Sequence, residues 1–515
     1  MNVFKGIDFK KFGKKYQGKV RDWYVVDDKR ILITTDRISA FDRMLGHIPY
    51  KGQVLNQLAD FWFEKTKHII PNHIENIIDP NISIVKNCQP ISVEMVVRGY
   101  MTGSTVTAIW PSYQRGERVM YGVTFPQGLK KNYKLLQPVI TPTYHGDITG
   151  KGGHDTRLTK KEIIDLKLVP KNIYEQMEKT VLTLYDFGAK FAFKKGLILV
   201  DTKYEFGLIN GDLVLMDEIH TPDSSRFWIK KTYKERIKKG LEPENFDKEF
   251  LRLWYKERGY MGDGKPPKMT TEFINQVSKR YIKTYELLAG KKFLYPKGSV
   301  IQRIKTNLKN YFKPKIAVLI SNKGMATNLQ AIINGIERKN INAKLSVVIS
   351  DEINAYGLIR AKKHKIPTIL CLKKESLLKI LQKYSIDYVA LAGWKQFLTQ
   401  EVMNTYKNRI LNLHPGLIPD SLNEAVKNPD GTPALWNKKK FTDKAIQKFL
   451  DNKSTYAGST IHFLSDEVDF GPVLGRTFEK IKKNDTIETL YKRLKKKENS
   501  LYTNVLQKLT NRKTL

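Results

Sequence analysis

Lys315-Ile-Ala-Val-Leu-Ile-Ser321 decides the fold of the last third of this chain. Five apolar residues in a row, closed by a small polar one, mark a strand buried on both faces. The period then changes. Leu329, Ile332, Ile333 and Ile336 stand at offsets of three, four and seven, which predicts an amphipathic helix. Apolar runs at 345–350, 368–371, 387–393 and 409–415 alternate with further helical stretches. This rhythm predicts an α/β domain over 314–515, doubly wound around a mostly parallel sheet. Asp485 and Glu488 have capping-box spacing and predict the start of a closing helix.

Upstream, 291–313 is basic and contains Pro296-Lys-Gly298, which predicts a connector. Residues 1–290 read as α+β. Runs at 23–26 and 30–35 flank Asp27-Asp28 and predict a hairpin. Leu55, Leu58 and Trp62 line one helix face, and runs at 197–200 and 213–216 flank Asn210-Gly211.

Composition sets limits on function. The chain has 515 residues, 41% of them hydrophobic, and a formal charge of +38. Such charge raises nucleic acid as a partner. The lysines are spread over the whole length, however, which favours a solvated basic surface that serves small phosphorylated substrates, with no nucleic-acid partner. No apolar run approaches the roughly 20 residues of a membrane helix, so no membrane partner is expected. The N-terminal stretch has no apolar signal region. Cys88 and Cys371 are far apart and belong to no metal pattern, which predicts a reduced, cytoplasmic protein. A homodimer is compatible with all of this.

Two constellations carry chemistry. In Asp201-Thr-Lys-Tyr-Glu-Phe-Gly207, the residues Asp201, Lys203 and Glu205 alternate, so a strand presents all three on one face. Glu205 and Asp217 lie on neighbouring β runs and can face one cation. Carboxylates completed by phosphates are the usual surroundings of Mg²⁺. Taken alone, the segment reads better as an exposed charged hairpin. It has company in Gly18-Lys-Val-Arg-Asp22, Thr35-Asp-Arg-Ile-Ser-Ala-Phe-Asp42, Glu94-Met-Val-Val-Arg-Gly-Tyr-Met-Thr-Gly-Ser104, Thr221-Pro-Asp-Ser-Ser-Arg-Phe-Trp228, Asp247-Lys-Glu-Phe-Leu-Arg252 and Gly259-Tyr-Met-Gly-Asp-Gly264.

With these segments, about 18–290 closely resembles the SAICAR synthetases, phosphoribosylaminoimidazole-succinocarboxamide synthases of purine synthesis. The resemblance implies an ATP-grasp-like α+β domain related to kinases. It also implies ATP-dependent ligation of L-aspartate to carboxyaminoimidazole ribotide. By the same resemblance Lys19 and Arg21 contact ATP phosphates, Glu94 and Met95 lie at the adenine, and Glu205 and Asp217 hold Mg²⁺. Asp36, Ser39, Arg98, Ser104, Asp201, Lys203, Arg226 and Arg252 bind the ribotide and the aspartate. The chain departs from the family at Thr141-Pro-Thr-Tyr-His145 and Gly153-His-Asp-Thr156, which replace a lysine and an acid, and at Ser92, where proline is common.

The second constellation is Asn412-Leu-His-Pro-Gly416 with Gly458-Ser-Thr-Ile-His-Phe463 and Asp466-Glu-Val-Asp-Phe-Gly-Pro472. Asn412 and His414 alternate at the carboxyl end of a predicted strand, where open α/β sheets bind ligands. A lone histidine there is more often structural, but its alternate asparagine and Asp469 point to proton transfer beside an oxyanion donor. Together with 321–330 and 391–394, these residues resemble glycinamide ribonucleotide formyltransferases from Lys315 onward. That resemblance implies transfer of a formyl group from 10-formyltetrahydrofolate to a ribotide amine. Asn412, His414 and Asp469 would be catalytic. Gly324, Ala326, Thr327, Asn328 and Glu498 would bind the ribotide, and Trp394, Gln396 and Leu398 would border the folate. Gln396 stands where arginine is frequent. A long insert over 420–456 with Leu435-Trp436 replaces a short loop. The alternative is a C-terminal domain that binds ribotides without catalysis or formylates another amine.

Overall fold

The computed structural model describes residues 3–41, 43–104, 107–144, 156–321 and 324–511. It divides into two compact units, Met1–Leu308 and Lys309–Leu515.

The first unit is α+β, and the sheet pairings on its described strands are antiparallel. The expected hairpin forms from Arg21–Val26 and Lys29–Thr34, with Asp27 at φ 54°, inside a five-stranded sheet. A seven-stranded sheet is centred on Leu197–Ile209, which pairs with Val93–Tyr100, Asp212–Met216 and Ser225–Ile229. This strand runs well beyond the apolar stretch 197–200, because its charged continuation alternates with core residues. Tyr204 and Phe206 are fully buried between Lys203 and Glu205. Asn210 and Gly211 both take positive φ, as a two-residue I′ hairpin turn requires. Helix Lys51–Thr66 buries Leu55, Leu58 and Trp62, and helix Lys171–Lys194 buries Tyr174, Met177, Val181 and Leu184 in the same core.

The expected connector is different from its prediction. Phe293 joins that core, and helix Val300–Tyr311 buries Ile304 and Leu308. Arg303 forks onto the buried carboxylate of Asp79 with Nε at 2.9 Å and Nη2 at 3.0 Å, and Asn307 donates to the same group. Ile304 and Leu308, four residues apart, form a buried stripe among the lysines, so the segment docks instead of linking.

The second unit holds one seven-stranded sheet in the order Thr368–Leu370, Lys344–Ser350, Lys315–Ile320, Tyr388–Leu391, Ile410–His414, Tyr456–Phe463, Val473–Lys480. The first five strands are parallel, Tyr456–Phe463 runs antiparallel to them and Val473–Lys480 antiparallel to Tyr456–Phe463, so the sheet is mixed. Alternate residues of Lys315–Ile320 enter two cores. Ile316, Val318 and Ile320 meet the side of helices Thr327–Glu337 and Ile487–Asn511, while Ala317 and Leu319 meet helix Leu377–Lys383. The order reverses between Lys315–Ile320 and Tyr388–Leu391, and such a reversal opens a crevice at the strands' carboxyl ends. The closing helix starts one residue later than predicted: Thr486 Oγ1 accepts from Thr489 N, while Asp485 holds Arg493 at 2.6 Å. Among the described residues no helix is long and apolar enough to cross a membrane.

Candidate active sites

In the first unit, register places the charged groups. Asp201 lies opposite both Arg98 and Arg226, and Glu205 opposite Met216. A bulge between Leu199 and Asp201 sets the face. Leu197 and Leu199 enter the main core, but beyond the bulge the even positions Tyr204 and Phe206 do, leaving Asp201, Lys203 and Glu205 on the other side. The Tyr185 hydroxyl pins the bulge by donating to Leu199 O at 2.9 Å. Gly99 makes room, since a Cβ there would stand 2.0 Å from that hydroxyl.

One end of this face gathers guanidiniums. Asp201 Oδ2 accepts from Arg98 Nη1 at 3.1 Å and from Arg226 Nη1. Glu249, which the sequence reading did not single out, accepts from Ser104 Oγ at 2.6 Å, Arg252 Nη1 at 3.0 Å and Arg226 Nε at 3.4 Å. Burial opposes ionisation of Glu249, yet Arg226 and Arg252 hold its carboxyl down at about 2. Three guanidiniums therefore face two carboxylates, and Arg252 Nε is buried without a hydrogen-bond partner among the described residues. The cluster retains positive charge and an unused donor, which suits an anion.

At the other end, Lys203 Nζ reaches Glu94 at 3.1 Å and also Glu205. Arg21 forks between Asp217 (2.6 Å) and Glu218 (2.8 Å), the latter also missed from sequence. Burial pushes the Asp217 carboxyl up to about 6 despite Arg21, and neighbouring Glu205 adds to the rise. The Asp217 carboxyl, which resists ionisation although Arg21 and Lys203 stand beside it, is short of positive charge, a deficit that a hard divalent ion relieves. Among the described residues no group of three acidic, His or Cys side chains forms a fuller metal cage. The fit is thus to a cation with two protein ligands and further oxygens from a substrate.

Other expected residues are placed differently. Met95 is fully buried in the core, because Val93, Met95 and Val97 alternate with Glu94, so only its backbone faces the site. Asp36 is buried, and backbone N–H groups of Phe4 (2.8 Å) and Gly52 (2.9 Å) occupy its two oxygens. It anchors the start of helix Lys51–Thr66 and offers a ligand nothing. Ser39 lies 3.5 Å from Lys248 Nζ, in a cluster with Asp223, Lys51 and Tyr281. Burial, with Lys51 and Arg252 nearby, lowers Lys248 to about 8. Lys19 is exposed two residues before Arg21. His145 and the 153–155 departure lie outside the described residues.

In the second unit, Asn412 and His414 share a face at the end of Ile410–His414, opposite His462 and Thr460 respectively. His414 Nδ1 lies 3.4 Å from Asp469 Oδ1, and His414 helps hold that carboxyl below its usual range against the burial that would raise it. Asn412 Nδ2 donates to His462 Nε2 at 3.2 Å, while His462 Nδ1 faces Phe463 O at 3.0 Å. Burial drives His462 down to about 4, so it stays neutral and can accept from the amide. The sequence showed His462 only as a histidine in a strand, and the pairing with Asn412 gives it this orienting part.

Ala326, at φ 46°, precedes helix Thr327–Glu337. Thr327 Oγ1 and Asn328 Oδ1 are buried there without hydrogen-bond partners among the described residues. Lys395 N donates to Ser321 Oγ at 2.9 Å, tying this turn to the 393–398 loop, where Trp394 and Leu398 pack on the apolar core and Gln396 is exposed. Glu498 accepts from Ser459 Oγ at 2.7 Å and pairs with Lys495 at 3.0 Å. Ser459 is one residue out of phase with Thr460, which pairs with His414, so Glu498 meets the sheet on the face opposite to that of His414.

Comparison with known proteins accords with this division. A SAICAR synthetase family model matches residues 14–268 and a formyl transferase model matches 314–506. The phosphoribosylaminoimidazole-succinocarboxamide synthase of Legionella pneumophila (strain Lens) is 48% identical over 304 residues, 58% of this chain and 96% of that protein. A chloroplastic synthase of the same name from Vigna aconitifolia is 50% identical over 243 residues, 47% of this chain and 70% of that protein. The crystal structure of glycinamide ribonucleotide transformylase 1 from Symbiobacterium toebii is 28% identical, with TM-score 0.33, covering 43% of this chain and 92% of that one. The chain belongs to the SAICAR synthetase family through its first unit and joins to it, in the same polypeptide, a formyl transferase domain.

Proposed function

We propose that the chain performs two reactions of purine-nucleotide synthesis: ATP-dependent ligation of L-aspartate to carboxyaminoimidazole ribotide, and formyl transfer from 10-formyltetrahydrofolate to glycinamide ribonucleotide. The observation that carries the first is the strand face on which a guanidinium cluster with surplus charge stands at one end and the Asp217 carboxyl, short of it, beside Glu205 at the other.

Ligation must make a poor electrophile reactive. The ribotide carboxylate attacks the terminal phosphorus of ATP, an acyl phosphate forms and ADP leaves. The aspartate amine then bonds to the carbonyl carbon as phosphate departs. Arg98, Arg226 and Arg252, braced by Asp201 and Glu249, are suited to the ribotide's phosphate and carboxylate. Lys19, Arg21 and Lys203 are suited to the transferring phosphoryl group, with Glu94 and the Met95 backbone at the base. Glu205 and Asp217 would hold Mg²⁺, which supplies charge neutralisation along the phosphates. The ATP-grasp-like reading of the fold belongs to this proposal.

In formyl transfer, the substrate amine bonds to the formyl carbon and the bond from that carbon to the folate nitrogen breaks. Asn412, oriented by neutral His462, would donate to the developing oxyanion. The amine proton passes by way of His414, paired with Asp469, to the leaving nitrogen. Thr327 and Asn328 would meet the ribotide phosphate at the helix start, and Trp394, Gln396 and Leu398 would border the folate. Asp217→Asn tests the division. Ligation should fall about a hundredfold or more with formyl transfer unchanged, and equal loss of both activities would refute two separate sites.

A further inference from the structure

The insert over 420–456, which no part of the mechanism above uses, passes against the formyl-transfer centre at residues 436–439. Trp436 O stands 2.7 Å from His414 Nε2. Trp436 Nε1 donates to Asp469 O at 2.9 Å, and Lys439 N donates to Asp469 Oδ2 at 2.7 Å. One short turn thus contacts both members of the His–Asp pair. The turn is rigidly specified: Asn437 and Lys439 take φ of 57° and 61°, and Asn437 Nδ2 donates to Pro415 O (3.2 Å) and Ala445 O (3.3 Å). Gly416 admits it, because a Cβ there would meet Trp436 O at 1.9 Å.

We propose that the 436–439 turn is the positioning element of the formyl-transfer centre, selecting which nitrogen of His414 accepts the proton. The inference rests on the formyl-transfer reading for its kinetic consequence. A carbonyl oxygen only accepts, so Nε2 must carry hydrogen wherever the Trp436 contact is kept. In the neutral ring Nδ1 is then the bare nitrogen, facing the carboxylate that stabilises the proton once it is taken. Without the carbonyl, Nδ1–H would donate to Asp469 and Nε2 would become the base. The Lys439 amide and the Trp436 indole hold Asp469 from the other side, so carboxylate and ring keep one mutual orientation. His414 is 2% exposed, which leaves such fixed partners in control of its orientation.

Two variants and one spectrum test this. Gly416→Ala displaces the Trp436 carbonyl, and kcat for formyl transfer should fall about a hundredfold, the order of a misdirected general base. Trp436→Phe removes only the indole donor while keeping a ring against Phe470, whose centroid lies 5.9 Å away. It should lower kcat about fivefold, the worth of one hydrogen bond, and it covers the case in which Gly416→Ala does not fold. KM for the ribotide should stay within about twofold in both, since uniform binding is untouched. ¹⁵N NMR of the neutral His414 ring should show the Nε2–H tautomer in the native chain and Nδ1–H in Gly416→Ala. An Nδ1–H tautomer in the native chain, or unchanged kcat in both variants, would overturn the proposal. If the native chain transferred no formyl group, the functional reading would fail, while the tautomer would still decide whether Trp436 holds His414.

Discussion

The strand face of the first unit and the strand end of the second handle charge in opposite ways. On the first, Asp201 and Glu249 are enclosed by Arg98, Arg226 and Arg252, and each ion is held by another charged side chain. On the second, the polar groups are few and their partners are mainly neutral: His462 orients Asn412, and backbone N–H groups and carbonyls surround His414 and Asp469. The difference follows the proposed substrates. Phosphates and carboxylates need opposing charge in place beforehand, whereas an uncharged formyl group needs one donor and one proton acceptor held at fixed angles. A lost side chain in the first unit therefore strands a buried ion, and a lost contact in the second loosens geometry.

The largest expected effect tests the first half of that contrast. Asp201→Ala leaves Arg98 without its carboxylate partner and Arg226 with Glu249 alone, and should cost about 3–5 kcal/mol of stability, read as a lowered denaturation midpoint. A midpoint within experimental scatter of the native chain would show that the cluster is solvated rather than buried. Next comes Asn412→Ala, which should slow formyl transfer by about 3 kcal/mol, or a hundredfold and more, with an unaltered midpoint. Comparable damage to stability would erase the distinction between the two sites.

His462 gives a pH signature. Its folded value of about 4 lies below the ordinary 6.5. Between those limits the unfolded chain holds a proton that the folded one refuses, so this contribution to stability shrinks as pH falls from 6.5 through 4. The change is at most about 3 kcal/mol. His462→Gln should flatten that slope relative to the native chain in denaturant titrations, and an unchanged slope would mean that the ring is charged or exposed. The smallest effect concerns the closing helix. Thr486→Ala removes a cap and should cost about 1 kcal/mol, whereas a cap at Asp485 would make the substitution silent.

Much of this was legible. Periodicity located the five parallel strands of the second unit, because both faces of such strands are buried and few polar residues interrupt the runs. Alternation put Asp201, Lys203 and Glu205 on one face and Asn412 with His414 on another. Other side-chain placements were not legible, for identifiable reasons. Met95 follows Glu94 in the chain but faces the core, since neighbours in a strand point to opposite sides. Asp36 looks like a ligand in a polar segment until Phe4 and Gly52 close on it from 32 residues before and 16 residues after. The 291–313 stretch reads as a linker because its lysines outnumber the two apolar residues that dock its helix.

The sequence by itself determined which elements form and which residue types stand at strand ends, since both follow from spacing along one chain. Tertiary structure alone decided the partners: Glu249 among the guanidiniums, Glu218 on Arg21, His462 on Asn412, and Trp436 on His414. Each of these contacts joins residues from 22 to 197 positions apart. Their energy depends on a distance of about 3 Å, and local pattern carries no information about which distant segments will come that close.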